Sequence, residues 1–289
     1  MKILILGSSG LLGNTLTKYF FQNDSFQTFG TLRDFSKIYF FKEKYHRNFV
    51  EFSNILDFVE LEKKIRDIKP NVIINCLGLT NKQRIVNFDL VQQYININSL
   101  FPHKLCEICS RHSVRLIHFS SDCVFSGLKG FYNENDFADP IDIYGKSKLM
   151  GELNYKNSIT IRKSVIGHEI TSKNGLLEWF LNQRNDVEGY KKVFFSGLTV
   201  LELGKIIVEY ILPRNNLNGL FNIAGQTISK FQLLKIIADV YQKPIEIIPN
   251  ELINIDRSLD ASKFNKLTGY ESQPWPELVK AMHDFNFSK

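Results

Sequence analysis

Short apolar runs alternate with stretches of helical spacing along the first 170 residues. Residues 3–6, Ile3-Leu4-Ile5-Leu6, form an unbroken aliphatic run, the pattern of a strand buried on both faces. Residues 14–22 then carry helical spacing. Further strands are predicted over 26–31, 49–52, 72–76, 114–119 and 159–162. Between them, residues 58–68 place Val59, Leu61, Ile65 and Ile68 at helical intervals and stop at Pro70, whose ring cannot continue a helix. Residues 90–111 predict a long helix. Strand–helix alternation of this kind predicts an α/β fold, a doubly wound parallel sheet of the Rossmann type. Right-handed crossovers gather the turns that follow the strands on one edge of such a sheet.

Beyond about Gly167 the alternation loosens. Residues 198–211 and 230–241 read as helices, and 219–224 and 245–248 as strands. The chain therefore divides into a first domain over 1–167 and a smaller C-terminal lobe over 168–289, whose strands can interleave with the first domain. No internal repeat or low-complexity linker separates them.

Composition narrows the function classes. The 289 residues are 44% hydrophobic and 23% charged, ordinary for a globular protein able to bury a sizeable core. The net charge of +6 is scattered rather than gathered in a stripe, which argues against nucleic-acid binding. It is a solvated surface, or a mild attraction for a phosphorylated substrate. The apolar run at the N-terminus is short and broken by glycine, so neither a leader nor a membrane span is expected. Cys76, Cys106, Cys109 and Cys123 form no paired framework, which points to a reducing compartment, the cytoplasm. Cys106 and Cys109 share a Cys-x-x-Cys spacing inside a predicted helix, but without a second pair they read as packing rather than zinc ligands. No metal site is expected.

Two segments carry chemistry. Gly7-Ser8-Ser9-Gly10-Leu11-Leu12-Gly13 follows the first strand and opens the first helix. Gly7 allows a tight turn, Gly10 lets backbone approach a pyrophosphate at the helix N-terminus, and Gly13 lets the helix pack close to the sheet. Three glycines alone can be only a turn. Their placement after the first strand makes the first domain an NAD(P)-binding Rossmann domain and the lobe its substrate-binding partner. The second strand ends at Thr31-Leu32-Arg33 with no acid to hold a ribose 2′-hydroxyl; Asp34 lies just beyond. Arg33 suits a 2′-phosphate, so NADPH is the expected cofactor, with NADH as the alternative. The second segment is His118-Phe119-Ser120-Ser121-Asp122-Cys123-Val124-Phe125-Ser126-Gly127, followed by Tyr144-Gly145-Lys146-Ser147-Lys148. A helix places Tyr144 and Lys148 on one face, where the ammonium would lower the tyrosine pKa and make it a proton donor near neutrality. Ser121 would polarise the same carbonyl oxygen.

On these residues the chain resembles the extended short-chain dehydrogenase/reductase superfamily, and within it the dTDP-4-dehydrorhamnose reductase family, over nearly its whole length. Residues 120–127 are similar to that family's Ser-Thr-Asp-Tyr-Val-Phe-Asp-Gly, and residues 140–152 to its Pro…Tyr-Gly-x-Ser-Lys-x-x-Gly-Glu. Asn75-Cys76-Leu77-Gly78 matches the fourth-strand turn beside the cofactor, Asn98 the helix asparagine, and residues 162–167 the segment Arg-Thr-Ser-Trp-Val-Tyr-Gly. The resemblance implies hydride delivery from NADPH to C4 of a nucleotide-linked 4-keto-6-deoxyhexose, a step in supplying surface polysaccharides such as O-antigen. It assigns Ser121, Tyr144 and Lys148 to catalysis, with Tyr144 protonating the alkoxide and Asn98 supporting a water relay to Lys148. Cofactor contacts fall to Gly7, Ser9, Gly10, Leu11, Leu12, Arg33, Asn54, Ile55, Cys76, Leu77, Gly78 and Asn98, besides Tyr144 and Lys148. Substrate contacts fall to Thr80, Ser121, Asp122, Cys123, Val165 and Arg257. A homodimer is compatible with it.

The departures touch the sugar rather than the reaction. Ser121 stands for threonine and keeps the hydroxyl. Cys123 stands for tyrosine, Val165 for tryptophan and Lys163 for threonine, so a 2-acetamido sugar on UDP is the alternative substrate. Asn54 stands where an acid often touches adenine, and can still hydrogen-bond.

Several residues have an ordinary reading as strong as the functional one. Thr80 and Gln83 face the nicotinamide or sugar, or belong to a polar loop. Arg257 is near a nucleotide diphosphate, or in a surface salt bridge. Asp122 touches substrate hydroxyls, or caps a loop. His118 reads as packed, and His168 as either packed or pocket-lining. Trp179-Phe180 reads as lobe core and Thr199 as a helix N-cap. Two rival functions remain: an epimerase or dehydratase with tightly held NAD, and a non-catalytic regulatory subunit like that of methionine adenosyltransferase.

Overall fold

The computed structural model describes residues 1–80, 87–170 and 173–287. Its centre is a seven-stranded sheet in the order β10-β6-β5-β4-β1-β2-β3, every neighbouring pair parallel. The strands are β1 (Lys2–Leu6), β2 (Gln27–Leu32), β3 (Phe49–Glu51), β4 (Val72–Asn75), β5 (Arg115–Phe119), β6 (Ser158–Arg162) and, from late in the chain, β10 (Gly219–Asn222). The chain winds outward one way through β1, β2 and β3, then returns to β4 and winds the other way. The reversal between β1 and β4 opens a crevice beyond the carboxyl ends of the strands, where a doubly wound fold places its ligands.

The aliphatic run of β1 supplies both faces. Ile3 and Ile5 face one core with Leu16 and Phe20 of α1 (Leu11–Phe21), while Leu4 and Leu6 face the other with Leu61 and Ile65 of α2 (Phe58–Ile68). All eight are buried, and each contributes about 1.5–3 kcal/mol relative to exposure. Asp57 caps α2 by accepting from Glu60 N (3.0 Å), and the helix ends at Lys69 in the left-handed region (φ 52°), just before Pro70.

The predicted helix over 90–111 is one continuous helix with an inserted π-turn: α3 (Phe88–Tyr94), the wide turn Ile95–Leu100, and α4 (Phe101–Arg111). Pro102 lacks the N–H that an α-helix would aim at Asn98, which suits a turn that skips that bond. Gly151 occupies the freed space: a Cβ there would sit 1.9 Å from the Asn98 carbonyl oxygen. Gly151 ends α5 (Ile143–Met150), which is thereby docked on the turn.

After β6 come β7 (Val165–Ile166), α6 (Leu176–Leu181), β8 (Val187–Phe195) and β9 (Leu198–Thr199). Next is α7 (Val200–Ile206), whose N-cap is Thr199 as expected. It packs on α1, where Gly204 meets Tyr19 and Leu16. The chain then visits β10, β11 (Ile228–Ser229), α8 (Lys230–Val240), β12 (Ile247–Asp256), α9 (Ser262–Thr268) and α10 (Trp275–Phe287). β8 lies between β11, antiparallel, and β12, parallel, in a separate three-stranded sheet. From β12 the chain returns to the crevice: Asp256 N donates to Gly127 O (2.8 Å), and Tyr132 N to Ser258 O (2.9 Å). No helix among the described residues is long and apolar enough to cross a membrane.

Candidate active site

The glycine turn stands at the mouth of the crevice, between β1 and α1. Gly7 has φ +85° and Gly13 sits so close beneath it that a Cβ would lie 2.0 Å from the Gly7 carbonyl oxygen, so both glycines are required by the turn itself. Gly10 is different. Its φ of −81° suits any residue, and a Cβ would meet Gly7 O at an ordinary 3.5 Å. The protein leaves that space open at the helix N-terminus. There α1 has no side-chain cap and no acid in its first turn. The first-turn N–H groups that any helix leaves without an intrahelical partner make such an end a ready site for an anion such as a pyrophosphate. Ser8 ties the turn down by accepting from Thr17 Oγ1 (2.9 Å) and Thr31 N (3.1 Å), while Ser9, Leu11 and Leu12 are half-buried beside it.

Arg33 is exposed immediately after β2. Asp34 is engaged locally, accepting from Ser36 N (3.0 Å) and Ser36 Oγ (2.6 Å); these bonds hold its carboxyl below the usual range. Asn54, also exposed, accepts from Leu56 N (3.1 Å) in its own turn, with Ile55 half-buried next to it.

Cys76, Leu77 and Gly78 follow β4. Asn98, fully buried in the π-turn, holds this segment: Oδ1 accepts from Leu79 N (2.8 Å), and Nδ2 donates to Leu79 O (3.0 Å) and Ser147 Oγ (3.0 Å). Both amide protons are thus engaged in clamping the β4 turn to α5, and Oδ1 keeps one lone pair. A Cβ on Gly78 would fall 4.0 Å from Lys148 Nζ, which places the lysine under the same turn. Thr80 is exposed at its far end, and Gln83 lies outside the described residues.

The segment after β5 meets the start of α5 closely. Asp142 caps α5 by accepting from Gly145 N (2.7 Å), and a Cβ on Gly145 would sit 2.1 Å from Cys123 O. Ser121 Oγ donates to Asp122 Oδ1 (3.0 Å), accepts from Cys123 N (3.2 Å), and reaches Tyr144 as well. Ser121, Tyr144 and Lys148 are therefore brought together at the sheet edge. Burial, followed by the Cys123 thiol, drives the Tyr144 hydroxyl well above its ordinary value, with the Ser121 bond opposing. The lowering expected from Lys148 is overturned: desolvation wins, and Lys148 itself is pushed down to about 7 by burial and by Lys163.

Arg257 is carried into the crevice by the strand return. It donates from Nε to Ser126 O (3.3 Å) and from Nη1 to Cys123 Sγ (3.6 Å), rather than forming a surface salt bridge. Asp122 N donates to Lys163 O (3.2 Å), and half-buried Val165 begins β7 two residues on. His118 is packed beneath, with Nδ1 against Asn75 Nδ2 (3.1 Å), and burial holds it neutral. His168 lies elsewhere: it pairs with Glu178 (2.7 Å) and the Tyr241 hydroxyl (2.8 Å) beside α1. Trp179 is partly exposed while Phe180 is core. Cys106 and Cys109 are buried in α4, and among the described residues no cluster of His, Cys, Asp or Glu is arranged for a metal.

Two features escaped the reading of the sequence. One is the buried pair of Arg162 and Glu152 (Nε–Oε1 2.8 Å, Nη2–Oε2 2.8 Å), which locks β6 to the end of α5. The other is the burial of Lys163, a position the sequence offered only as a substitution bearing on the sugar. A lysine directly after a wholly buried strand was the available signal.

The model of the RmlD substrate binding domain matches residues 1–189. The chain belongs to that family. Among curated RmlD-like relatives, it is 27% identical to dTDP-4-dehydrorhamnose reductase of Aggregatibacter actinomycetemcomitans, covering 96% of this chain and 97% of the other. It is 24% identical to methionine adenosyltransferase 2 subunit beta of Mus musculus, covering 96% and 88%. A dTDP-4-dehydrorhamnose reductase of Bacillus anthracis, solved in complex with NADP, superposes with a TM-score of 0.77 at 19% identity over 98% of each chain. This family membership and the parallel sheet agree with the fold expected from the sequence.

Proposed function

We propose that this protein uses NADPH to reduce the C4 keto group of a nucleotide-linked 4-dehydro-6-deoxyhexose. A dTDP sugar is the first reading and a UDP-linked 2-acetamido sugar the alternative. The observation that carries the reading is the convergence of Ser121, Tyr144 and Lys148 on the same sheet edge as an uncapped, acid-free helix N-terminus. The reductase name of the relative from Aggregatibacter actinomycetemcomitans supports it.

The open space at Gly10 fits a pyrophosphate, with Gly7, Ser9, Leu11 and Leu12 around it. Arg33, exposed and beside an Asp34 carboxylate that is turned to Ser36, takes the 2′-phosphate; Asn54 and Ile55 border the adenine. Cys76, Leu77 and Gly78 flank the nicotinamide end. When bound, the cofactor supplies a hydride to the sugar carbonyl carbon. Ser121 donates a hydrogen bond to the carbonyl oxygen. Tyr144, held protonated by its burial, gives its proton to that oxygen as charge develops on it, and Lys148 resupplies the proton. Asn98 positions Lys148 by fixing the turn above it. Thr80, Asp122, Cys123, Val165 and Arg257 border the sugar and its diphosphate.

Purified protein should oxidise NADPH when given a dTDP- or UDP-4-keto-6-deoxyhexose. Tyr144→Phe should lower turnover at least a hundredfold while NADPH binding stays within threefold. Full activity in that variant sinks the mechanism. The likeness to methionine adenosyltransferase 2 subunit beta favours one other reading, a regulatory subunit. Co-purification with a synthetase, with no keto sugar reduced, would select it. Stoichiometric bound NAD that is never consumed would select an epimerase or dehydratase.

A further inference from the structure

Lys148 and Lys163 are 4% and 8% exposed at the same sheet edge. Neither forms an ion pair among the described residues. Residues 81–86, 171–172 and 288–289 contain no Asp or Glu that could supply one. The acid nearest in kind, Glu152, has both oxygens taken by Arg162 and Ser120. Asp122 faces Lys163 but is half-buried and already accepts from Ser121. Lys163 sits where β6 ends, and its charge acts on Cys76 beyond β4, on Cys123 beyond β5 and on Lys148 of α5. Lys163 directly follows β6, is buried, and its carbonyl accepts from Asp122 N (3.2 Å), so it stands next to the Ser121–Asp122 segment at the carboxyl ends of β5 and β6. Burial pushes the Lys163 ammonium down from its ordinary value, with Asp122 foremost in opposing it, and a charge kept against burial in a crevice calls for a role toward what the crevice holds.

The reduced and oxidised nicotinamide cofactors differ in one relevant respect: the oxidised ring carries one more positive charge. We propose that Lys163 sets the redox bias of the crevice, its buried ammonium disfavouring the charged oxidised ring so that the protein holds reduced cofactor more tightly than oxidised. This rests on the reading that a nicotinamide cofactor ends at Ser121, Tyr144 and Lys148. Two unit charges several ångströms apart in a protein environment interact strongly enough to change a binding ratio tenfold or more. By thermodynamic linkage, each tenfold difference raises the midpoint potential of the bound couple by about 30 mV. A crevice biased this way loads with reduced cofactor and sheds the oxidised form after each turnover. That suits a reductase and opposes a cycle that starts from tightly held oxidised cofactor.

The test titrates NADPH by fluorescence and NADP+ by calorimetry against the full-length protein, Lys163→Met and Lys163→Arg, without any sugar. The wild type should bind NADPH at least tenfold more tightly than NADP+. Lys163→Met should shrink that ratio about tenfold, mainly through tighter NADP+ binding, while Lys163→Arg, which keeps the charge, should preserve it. An unchanged ratio in Lys163→Met, or both dissociation constants moving by the same factor, overturns the proposal and leaves the cofactor reading standing. Failure of every form to bind either nucleotide overturns both.

Discussion

Two buried ammonium groups in one crevice run against the ordinary economy of a folded core, and this shows at single residues. Lys148, pushed down to about 7, is charged below neutrality and neutral above it, whereas in the unfolded chain it holds its proton to about 10.5. Between those values the unfolded state binds more protons than the native state, so native stability rises with pH across that window. Below it the native protein carries the full burden of a buried charge. Lys148→Met is therefore expected to stabilise the protein at pH 6 by about 1–3 kcal/mol, an advantage that fades from pH 7 to pH 10. Urea unfolding at several pH values checks this; a destabilised variant at pH 6 contradicts it. The same ionisation bears on turnover. Reduction consumes a proton, and in the free protein Lys148 is the group on its path that changes charge near neutrality. The value of kcat/KM should therefore fall as pH rises through about 7. A flat profile between pH 6 and 9 would remove Lys148 from the proton path.

At the scale of elements, the glycine turn separates what the fold needs from what a ligand needs. Gly13→Ala forces a Cβ to within 2.0 Å of backbone and must push α1 off the sheet, at a cost of roughly 3 kcal/mol or more. Gly10→Ala finds open space and an unstrained backbone, so its melting temperature should stay within about 3 °C of wild type. Its NADPH affinity should nonetheless drop at least tenfold, because the added methyl occupies the approach to the helix N-terminus. Unchanged affinity in Gly10→Ala would move the pyrophosphate elsewhere. The same contrast explains what was legible in advance. Strands such as β1 and β4 are buried on both faces and announce themselves as aliphatic runs. The long strands β8 and β12 do not: their exposed positions carry Glu188, Lys191 and Lys192 on one and Pro249 and Glu251 on the other. Only the start of β12 was visible, through its isoleucines. The π-turn at Asn98 was hidden because Pro102 alone does not distinguish it from an ordinary helix start, and the close approach of Gly151 that goes with it is tertiary. Tyr144 and Lys148 were visible by spacing, but the direction of the tyrosine shift was not, because burial depth is not written in a four-residue interval.

At the scale of the whole molecule, the sheet and the C-terminal residues are not separable. The match to the family ends at residue 189, yet β10, thirty residues further, is the outer strand beside β6. Arg115 of β5 donates to Ile211 O and Leu217 O (2.9 Å each), and buried Asn222 of β10 donates to Tyr132 O (2.8 Å) and Asp260 O (3.2 Å). A chain ending at residue 189 would expose the flank of β6, strip α7 from α1, and leave the Arg115 guanidinium without its acceptors. It would also lose Arg257 from the crevice. The full chain should unfold in one cooperative transition, and the shortened chain should show no cooperative transition at all, by far-UV circular dichroism in urea. A shortened chain that melts sharply and still binds NADPH would mean that residues 1–189 form an independent unit. The C-terminal residues would then serve the substrate side alone. The hydrogen bonds at Arg115 and Asn222 argue the other way. They place the polar cost of separation inside the main sheet rather than at a seam between two bodies, so the crevice and the C-terminal residues that return to it form or fail together.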